Sequence, residues 1–134
     1  MVAFGHRIFT ETKMLKMSLT ALARHQLELA HRASSGRSAS TVFGGHEHQL
    51  RQTLIALTAG QAMSEHENPG EATLQVLVGR VRLMAGEDTW VGSPGDLLIV
   101  PDSRHSLEAL DAAAVLLTVV KHMSSTPPAS VKDC

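Results

Sequence analysis

Apolar positions recur at helical spacing in one segment near the start of the chain. Ser18 is a suitable N-cap residue, and Gly36 follows the last apolar position, so the pattern predicts one amphipathic helix within residues 18–36. Its helical turns are expected over residues 18–33, about four turns in all. The apolar face is predicted to consist of Leu19, Leu22, Ala23, Leu27 and Ala30.

From residue 41 onward the apolar residues form short segments separated by turn residues. Eight of the ten glycines fall between Gly44 and Gly95, and residues 85–88 and 93–96 have the composition of turns. This pattern predicts an antiparallel all-β sandwich or barrel over residues 37–123. The predicted strands lie near residues 41–43, 49–58, 72–78, 80–84, 88–91, 97–100, 105–110 and 114–121.

The two ends of the chain lack either pattern. Residues 1–17 are expected to form a flexible extension, and residues 124–134, which are rich in Ser and Pro, are expected to be a disordered tail. The length of 134 residues and the hydrophobic content of 43% fit a single domain between them. No internal repeat is visible.

Charge and composition narrow the possible partners. The net charge is −1 and aromatic residues make up 3%, so we expect no direct nucleic-acid binding and no membrane binding. Residues 1–37 carry a net charge of +4, which leaves −5 on residues 38–134. The single cysteine, Cys134, excludes an intrachain disulfide, and the first residues lack the apolar run of a secretion signal. A cytoplasmic location is therefore expected.

Two blocks of the β region, residues 60–79 and 95–105, resemble the two motifs of the cupin superfamily, and more narrowly its small single-domain bacterial members. The order and spacing of glycines, a proline and histidines agree, except that His105, the histidine of the second motif, comes one residue early. The resemblance covers about residues 49–121 and implies a small antiparallel jelly-roll barrel, which the N-terminal α-helix predicted from the apolar pattern precedes. It is carried by Gly60, His66, Gly79, Gly95, Pro101 and His105.

The resemblance also implies a metal site, but this sequence departs from the motif there. Metal-binding cupins use two histidines and a glutamate of the first motif, with a histidine of the second. Here Asn68 and Ala72 occupy the second histidine and glutamate positions, so His66 and His105 are the remaining candidate ligands. The expected cofactor is at most a weakly held divalent ion such as Zn, Ni, Mn or Fe. The alternative is that both are ordinary hydrogen-bonded histidines.

Further candidates surround this pair. A ligand pocket inside the barrel is expected to be lined by Leu74, Val76 and Leu107, together with His66, Asn68 and His105. Gln75 and Gln52 lie in apolar strands, where they would serve as pocket amides or sit on a surface face. His46 and His48 form a second possible metal pair, with a solvated turn as the alternative.

Three function classes remain open. The first is a small-molecule-binding cupin, with a regulatory role among its options and a vestigial metal site. The second is a metal-dependent cupin enzyme of the dioxygenase, isomerase or decarboxylase type, for which two secure ligands are few. The third is an interaction module whose basic helix binds an acidic partner. The first is preferred, with no catalytic residue assigned. A homodimer is expected because the helix stripe of Leu19, Leu22 and Leu27 needs a covering surface.

Overall fold

The computed structural model of the chain describes residues 14–66 and 70–121, with the backbone alone for residues 64–66. One helix is followed by nine strands in this part of the chain. The elements are α1 (Leu19–Arg32), β1 (Arg37–Phe43), β2 (Leu50–Leu57), β3 (Ala62–His66), β4 (Gly70–Val78), β5 (Val81–Ala85), β6 (Asp88–Gly92), β7 (Leu97–Ile99), β8 (His105–Ala109) and β9 (Ala113–Lys121).

The strands form two sheets that face each other. The first sheet has the order β1-β2-β9-β4-β7 and the second has the order β3-β8-β5-β6. The strand pairs that these orders place side by side are antiparallel. The prediction of an antiparallel all-β fold with one N-terminal helix is confirmed.

The core lies between the two sheets and is almost entirely aliphatic. Alternation along each strand sends every second side chain inward, as Leu74 and Val76 of β4 and Leu83 of β5 show. The remaining buried members of the core are Ile55, Leu57, Val81, Val100, Leu107, Ala109, Ala113 and Val115.

Helix α1 packs on the outer face of the first sheet. Its N-cap is Ser18, whose Oγ accepts a hydrogen bond from the Ala21 amide at 3.1 Å. The side chains that it buries are Ala23, Gln26 and Ala30. Gln26 is a polar residue in this interface, and its Oε1 accepts a hydrogen bond from the Ser38 hydroxyl. The α1 face contacts the chain's own sheet, and Leu19, Leu22 and Leu27 are half-buried. The homodimer stays a prediction.

Two strands differ from the sequence prediction. Strand β1 begins at Arg37, four residues before the predicted start, because polar residues that alternate with Ala39 still pair with β2. Strand β3 was not predicted, since Ala62–His66 contains no β-branched or aromatic residue. The helix ends at Arg32, within its predicted bounds.

Only a small part of the predicted N-terminal extension lies within the described residues. Residues 14–17 are exposed and have no regular secondary structure. The rest of the predicted N-terminal extension, and the predicted tail, lie outside the described residues. Within the described ranges, no helix combines the length and apolarity needed to cross a membrane.

Candidate functional site

A cavity of about 420 Å³ opens where strands β1 and β2 of the first sheet face strand β3 of the second. Most of its lining comes from alternate residues of β1 and β2, which share the inner face of the first sheet. We name this the barrel cavity. It is lined by Arg37, Ser38, Ala39, Arg51, Thr53, Ile55, Leu57, Met63 and Leu117.

The barrel cavity combines an apolar floor with two cationic side chains. Ile55 and Leu57 belong to the buried core, whereas Arg37 and Arg51 are exposed. The Arg37 guanidinium reaches across to the second sheet, where Nη1 donates to the Ala62 carbonyl at 3.5 Å. The cavity is therefore open to solvent and leads inward to aliphatic side chains.

A second, smaller cavity lies deeper between the sheets and has His105 in its wall. Its volume is about 30 Å³, room for little more than a water molecule. Ile55, Met63 and Leu117 line both cavities, so these three side chains separate them. The other residues of the inner cavity are Leu74, Leu83, Val100, His105 and Leu107.

His105 is buried, with 6% of its surface exposed, at the start of β8. Its Nδ1 lies 2.8 Å from the carbonyl oxygen of Ser103. Because a carbonyl can only accept, Nδ1 carries a proton in this contact. In the neutral ring, Nε2 is then the nitrogen with a lone pair, which is the form that binds a metal or accepts a hydrogen bond.

The backbone places His66 in register with His105 across the β3–β8 pair. Met63 pairs with Leu107 two positions along β8, so β3 has one extra residue between Met63 and His66. Without this bulge, position 66 would fall out of register with His105. This register concerns the backbone, and the approach of the His66 and His105 side chains stays a prediction.

The other predicted ligands do not assemble a metal site in the described residues. Asn68 lies outside them. Ala72 is in β4 and packs against the core, where its methyl group offers no donor. No group of three or more histidine, cysteine, aspartate or glutamate side chains that could hold a metal is found in the described part of the chain. The donors among the described side chains do not by themselves fit a tightly bound ion.

The predicted pocket residues divide between two faces of β4. Leu74 and Val76 point into the core, and Leu107 joins them from β8. Gln75 lies between Leu74 and Val76 in the strand, so its half-buried side chain is on the outer face. Of the two predicted positions for Gln75, a pocket amide or a surface face, the surface face fits this alternation, because Leu74 and Val76 on either side of it point inward.

Gln52 also lies on the outer side of the first sheet. Its Nε2 donates to the Thr118 hydroxyl at 3.1 Å. It lines a separate cavity of about 440 Å³ between the first sheet and the segment that leads into α1. We name this the outer cavity, lined by Leu15, Met17, Leu19, Val42, Phe43, Gln52 and Leu116.

His46 and His48 lie in the turn between β1 and β2. The His48 ring packs edge-on against Phe43, with ring centroids 5.2 Å apart. The turn is held by a hydrogen bond from the His48 amide to the Gly45 carbonyl at 3.2 Å. This is the solvated-turn alternative, and no third ligand joins the pair among the described residues.

Sequence reasoning missed the residues that shape the barrel cavity, Arg37, Arg51 and Met63. The alternation of Arg51, Thr53, Ile55 and Leu57 was visible, but alternation alone does not say which face of a strand is covered. Met63 lay in a segment with no strand signal. The pairing of β1 with β2, which brings the two arginines to one face, depends on the tertiary fold.

Several of the solved structures that are similar to this chain are described as cupins. A conserved protein of unknown function from Streptococcus pyogenes is 26% identical, with a TM-score of 0.61 over 69% of this chain and 80% of that chain. A cupin superfamily protein from Desulfitobacterium hafniense is 17% identical, with a TM-score of 0.57 over 63% and 79%. An RmlC-like cupin from Shewanella frigidimarina is 17% identical, with a TM-score of 0.58 over 68% and 81%.

The likeness is one of structure more than of sequence. No family model matches the sequence, and no curated protein is detectably similar to it. The two facing antiparallel sheets define the class of the protein as a jelly roll. Within that class the chain has the cupin fold, as the resemblance implied.

Proposed function

We propose that this protein binds a small molecule in its barrel and has no catalytic activity of its own. The observation that carries the proposal is the barrel cavity. Its volume of about 420 Å³ is within the range of roughly 300–1,000 Å³ that is usual for ligand pockets. Its floor is aliphatic and polar groups stand at its rim, which is the composition expected of such a site. A regulatory role would follow if ligand binding changed the protein's contacts.

Met63 gives the sharpest test, because it lies between the barrel cavity and the inner cavity. Met63→Trp should fill the floor of the barrel cavity and weaken binding of the apolar dye anilinonaphthalene sulfonate at least about tenfold. Val42→Trp places the same side chain in the outer cavity and is the matched control. Fluorescence titration measures both variants, with thermal melting to show that each is folded.

Equal affinity of the dye for wild type and Met63→Trp would contradict the proposal. If Met63→Trp does not fold, Ala39→Trp replaces it, because Ala39 is exposed at the rim of the same cavity. Mass spectrometry of the ligand extracted from purified protein would then identify what the cavity holds in the cell.

We propose that the metal site is vestigial. Its support is the donor set: His105 has a suitable ring, His66 is its register partner, and Ala72 has no donor where the motif has a carboxylate. Metal analysis of protein purified without an affinity tag should find far less than one ion per chain. Asn68→His combined with Ala72→Glu should raise divalent-metal affinity by a large factor, as calorimetry would measure.

The metal-dependent enzyme is the second candidate. It is favoured by the register of His66 with His105 and by the lone pair that the Ser103 contact leaves on Nε2 of the neutral ring. Near-equimolar metal in the untagged protein, unchanged by the two added ligands, would favour this alternative over the vestigial site.

We further propose that the protein is a homodimer, for a reason other than the helix stripe. Strand β7 is an edge of the first sheet and pairs only with β4 within that sheet. Its outward residues Leu97 and Ile99 are 58% and 69% exposed. A second copy of β7 would continue the sheet and cover these side chains.

Sedimentation of wild type and Ile99→Lys at micromolar concentration tests the dimer. Wild type should be dimeric and the variant monomeric, whereas Val120→Lys, at an exposed position on central strand β9, should leave the dimer intact. A wild type that is only monomeric would contradict the proposal.

A further inference from the structure

We propose that the barrel cavity takes an elongated organic acid with an anionic group at each end and an aliphatic middle. The inference rests on the proposed function of the barrel as a binding site and adds the chemical class of the ligand. It is drawn from the positions of Arg37 and Arg51, which belong to neither cupin motif.

The two arginines mark opposite ends of one cavity. Arg37 pairs with Leu57 across the β1–β2 ladder, and Arg51 lies six residues before Leu57 in β2. At about 3.4 Å per residue, the two positions are separated by about 20 Å of sheet. Both side chains nevertheless line the same cavity, so the cavity follows the strands and ends in a guanidinium at each side.

Neither charge is neutralised by the described surroundings. The described ion pairs join Arg80 to Asp111 and Arg82 to Glu108, and none of these four residues lines this cavity. Among the described lining residues none is acidic. The net charge of the chain is −1, so attraction of an anion must come from this local pair rather than from the protein's overall field.

The surface between the arginines favours a hydrocarbon chain. Ala39, Thr53 and Ile55 lie on the inner face between the two charged ends. A guanidinium binds a carboxylate with two parallel hydrogen bonds, which fixes the orientation of the acid group. A diacid would use both ends at once, while its methylene groups cover the apolar floor.

The experiment compares three ligand series of matched chain length: straight-chain dicarboxylic acids, monocarboxylic acids and neutral diols. Isothermal calorimetry should show tightest binding for a diacid of one preferred length, with the monoacids about tenfold weaker and the diols weaker again. If diacid affinity depends on the length of the chain, the two acid groups bind at fixed positions, whereas general attraction of anions would show no preferred length. Inorganic phosphate, which cannot span the cavity, should bind no better than a short monoacid.

Substitution of each arginine tests whether that end of the barrel cavity binds an acid group. Arg37→Gln and Arg51→Gln should each lower diacid affinity about tenfold, to the level of the monoacid, and the double variant should remove the preference for acids over diols. Arg24→Gln, an exposed helix position outside the cavity, is the matched control. Arg51→Lys keeps the charge but loses the bidentate contact, so its affinity should be intermediate.

The outcomes separate this inference from the function on which it rests. If diols bind as tightly as diacids, or if the glutamine variants leave diacid affinity unchanged, the acid ligand is wrong but the binding site stands. If no series binds while the dye still does, the inference is also overturned. If Met63→Trp leaves dye binding unchanged, the barrel is not the binding site and both fail.

Discussion

The two faces of the β1–β2 ladder are built from alternating residues of the same strands, yet they are covered differently. On the outer face, Leu54 and Ala56 are completely buried beneath helix α1. On the inner face, Ala39 is exposed and Thr53 is only half-buried, since both line the barrel cavity. Helix α1 thus covers the outer face of the ladder, whereas part of the inner face is open to solvent.

The difference is built by side chains next to each other in sequence. In β1, the outward residues are half-buried and the inward residues are exposed, the reverse of an ordinary sandwich strand. Both Ser38 and Ala39 line part of the cavity, but the Ser38 hydroxyl donates to Gln26 of the helix, whereas Ala39, which alternates with Ser38, lies on the inner face. The comparison teaches that the face under the helix contributes stability, whereas the inner face combines core residues such as Ile55 and Leu57 with an open cavity. Four predictions test that division.

The largest effect is expected for Leu54→Ala. This side chain is fully buried between β2 and α1, so its loss should lower the free energy of unfolding by about 2–5 kcal/mol. Thr53→Ala, one residue away on the cavity face, should change it by less than about 0.5 kcal/mol. Urea denaturation of both variants makes the comparison. Similar losses would show that the two faces do not differ in this way.

Ser38→Ala should have the next largest effect. It removes the hydroxyl that donates to Gln26 and leaves a buried amide oxygen without this partner, at a cost of about 1–3 kcal/mol. Adding Gln26→Leu should recover part of the loss, because an apolar side chain needs no partner there. A double variant no more stable than Ser38→Ala would argue against this account. Chemical denaturation measures each step.

Ser18→Ala removes the N-cap of α1 and should lower the free energy of unfolding by about 1 kcal/mol. Ser18→Asp retains an acceptor for the Ala21 amide and is expected to keep wild-type stability. The same loss in both variants would show that the cap does not contribute through this hydrogen bond. Thermal melting, monitored by circular dichroism, compares the stability of wild type and the two variants.

Ala39→Val should have the smallest effect on folding, a change of less than about 0.5 kcal/mol, because the added methyl groups enter open space and valine suits a strand. Gly92→Val is the contrast, since even a Cβ at this position would lie 3.0 Å from Val76 Cγ2 and 3.1 Å from Leu98 Cδ1. Overpacking there should cost about 1–3 kcal/mol. Equal melting temperatures for the two variants would be the contrary result.

The sequence predicted the fold well because turns and alternation are local signals. Gly79 illustrates this: its φ is +74° and a Cβ would lie 2.1 Å from the Ala112 carbonyl oxygen, so the turn between β4 and β5 requires glycine. Strand β3 was missed because its composition does not favour a strand; its pairing with β8 stabilises it.

The site was predicted only where a motif marked it. His105 is buried at the start of β8, whereas Gln75 lies on the outer face because it alternates with the inward residues Leu74 and Val76. Nothing in the sequence pattern singles out Arg37 and Arg51. Their relation appears only when two strands that are separate in sequence pair in a defined register.

Strand β9, a central strand of the first sheet, has a consequence for how the protein is made. It pairs along its whole length with β2 and β4, so it joins the front and middle of the chain. During synthesis, the edges of β2 and β4 that pair with β9 remain unpaired until residues 113–121 emerge from the ribosomal exit tunnel. Such long-range pairing is slow, and the exposed edges favour aggregation. Slowed translation before residue 113 would therefore lengthen the period in which the nascent chain needs a chaperone.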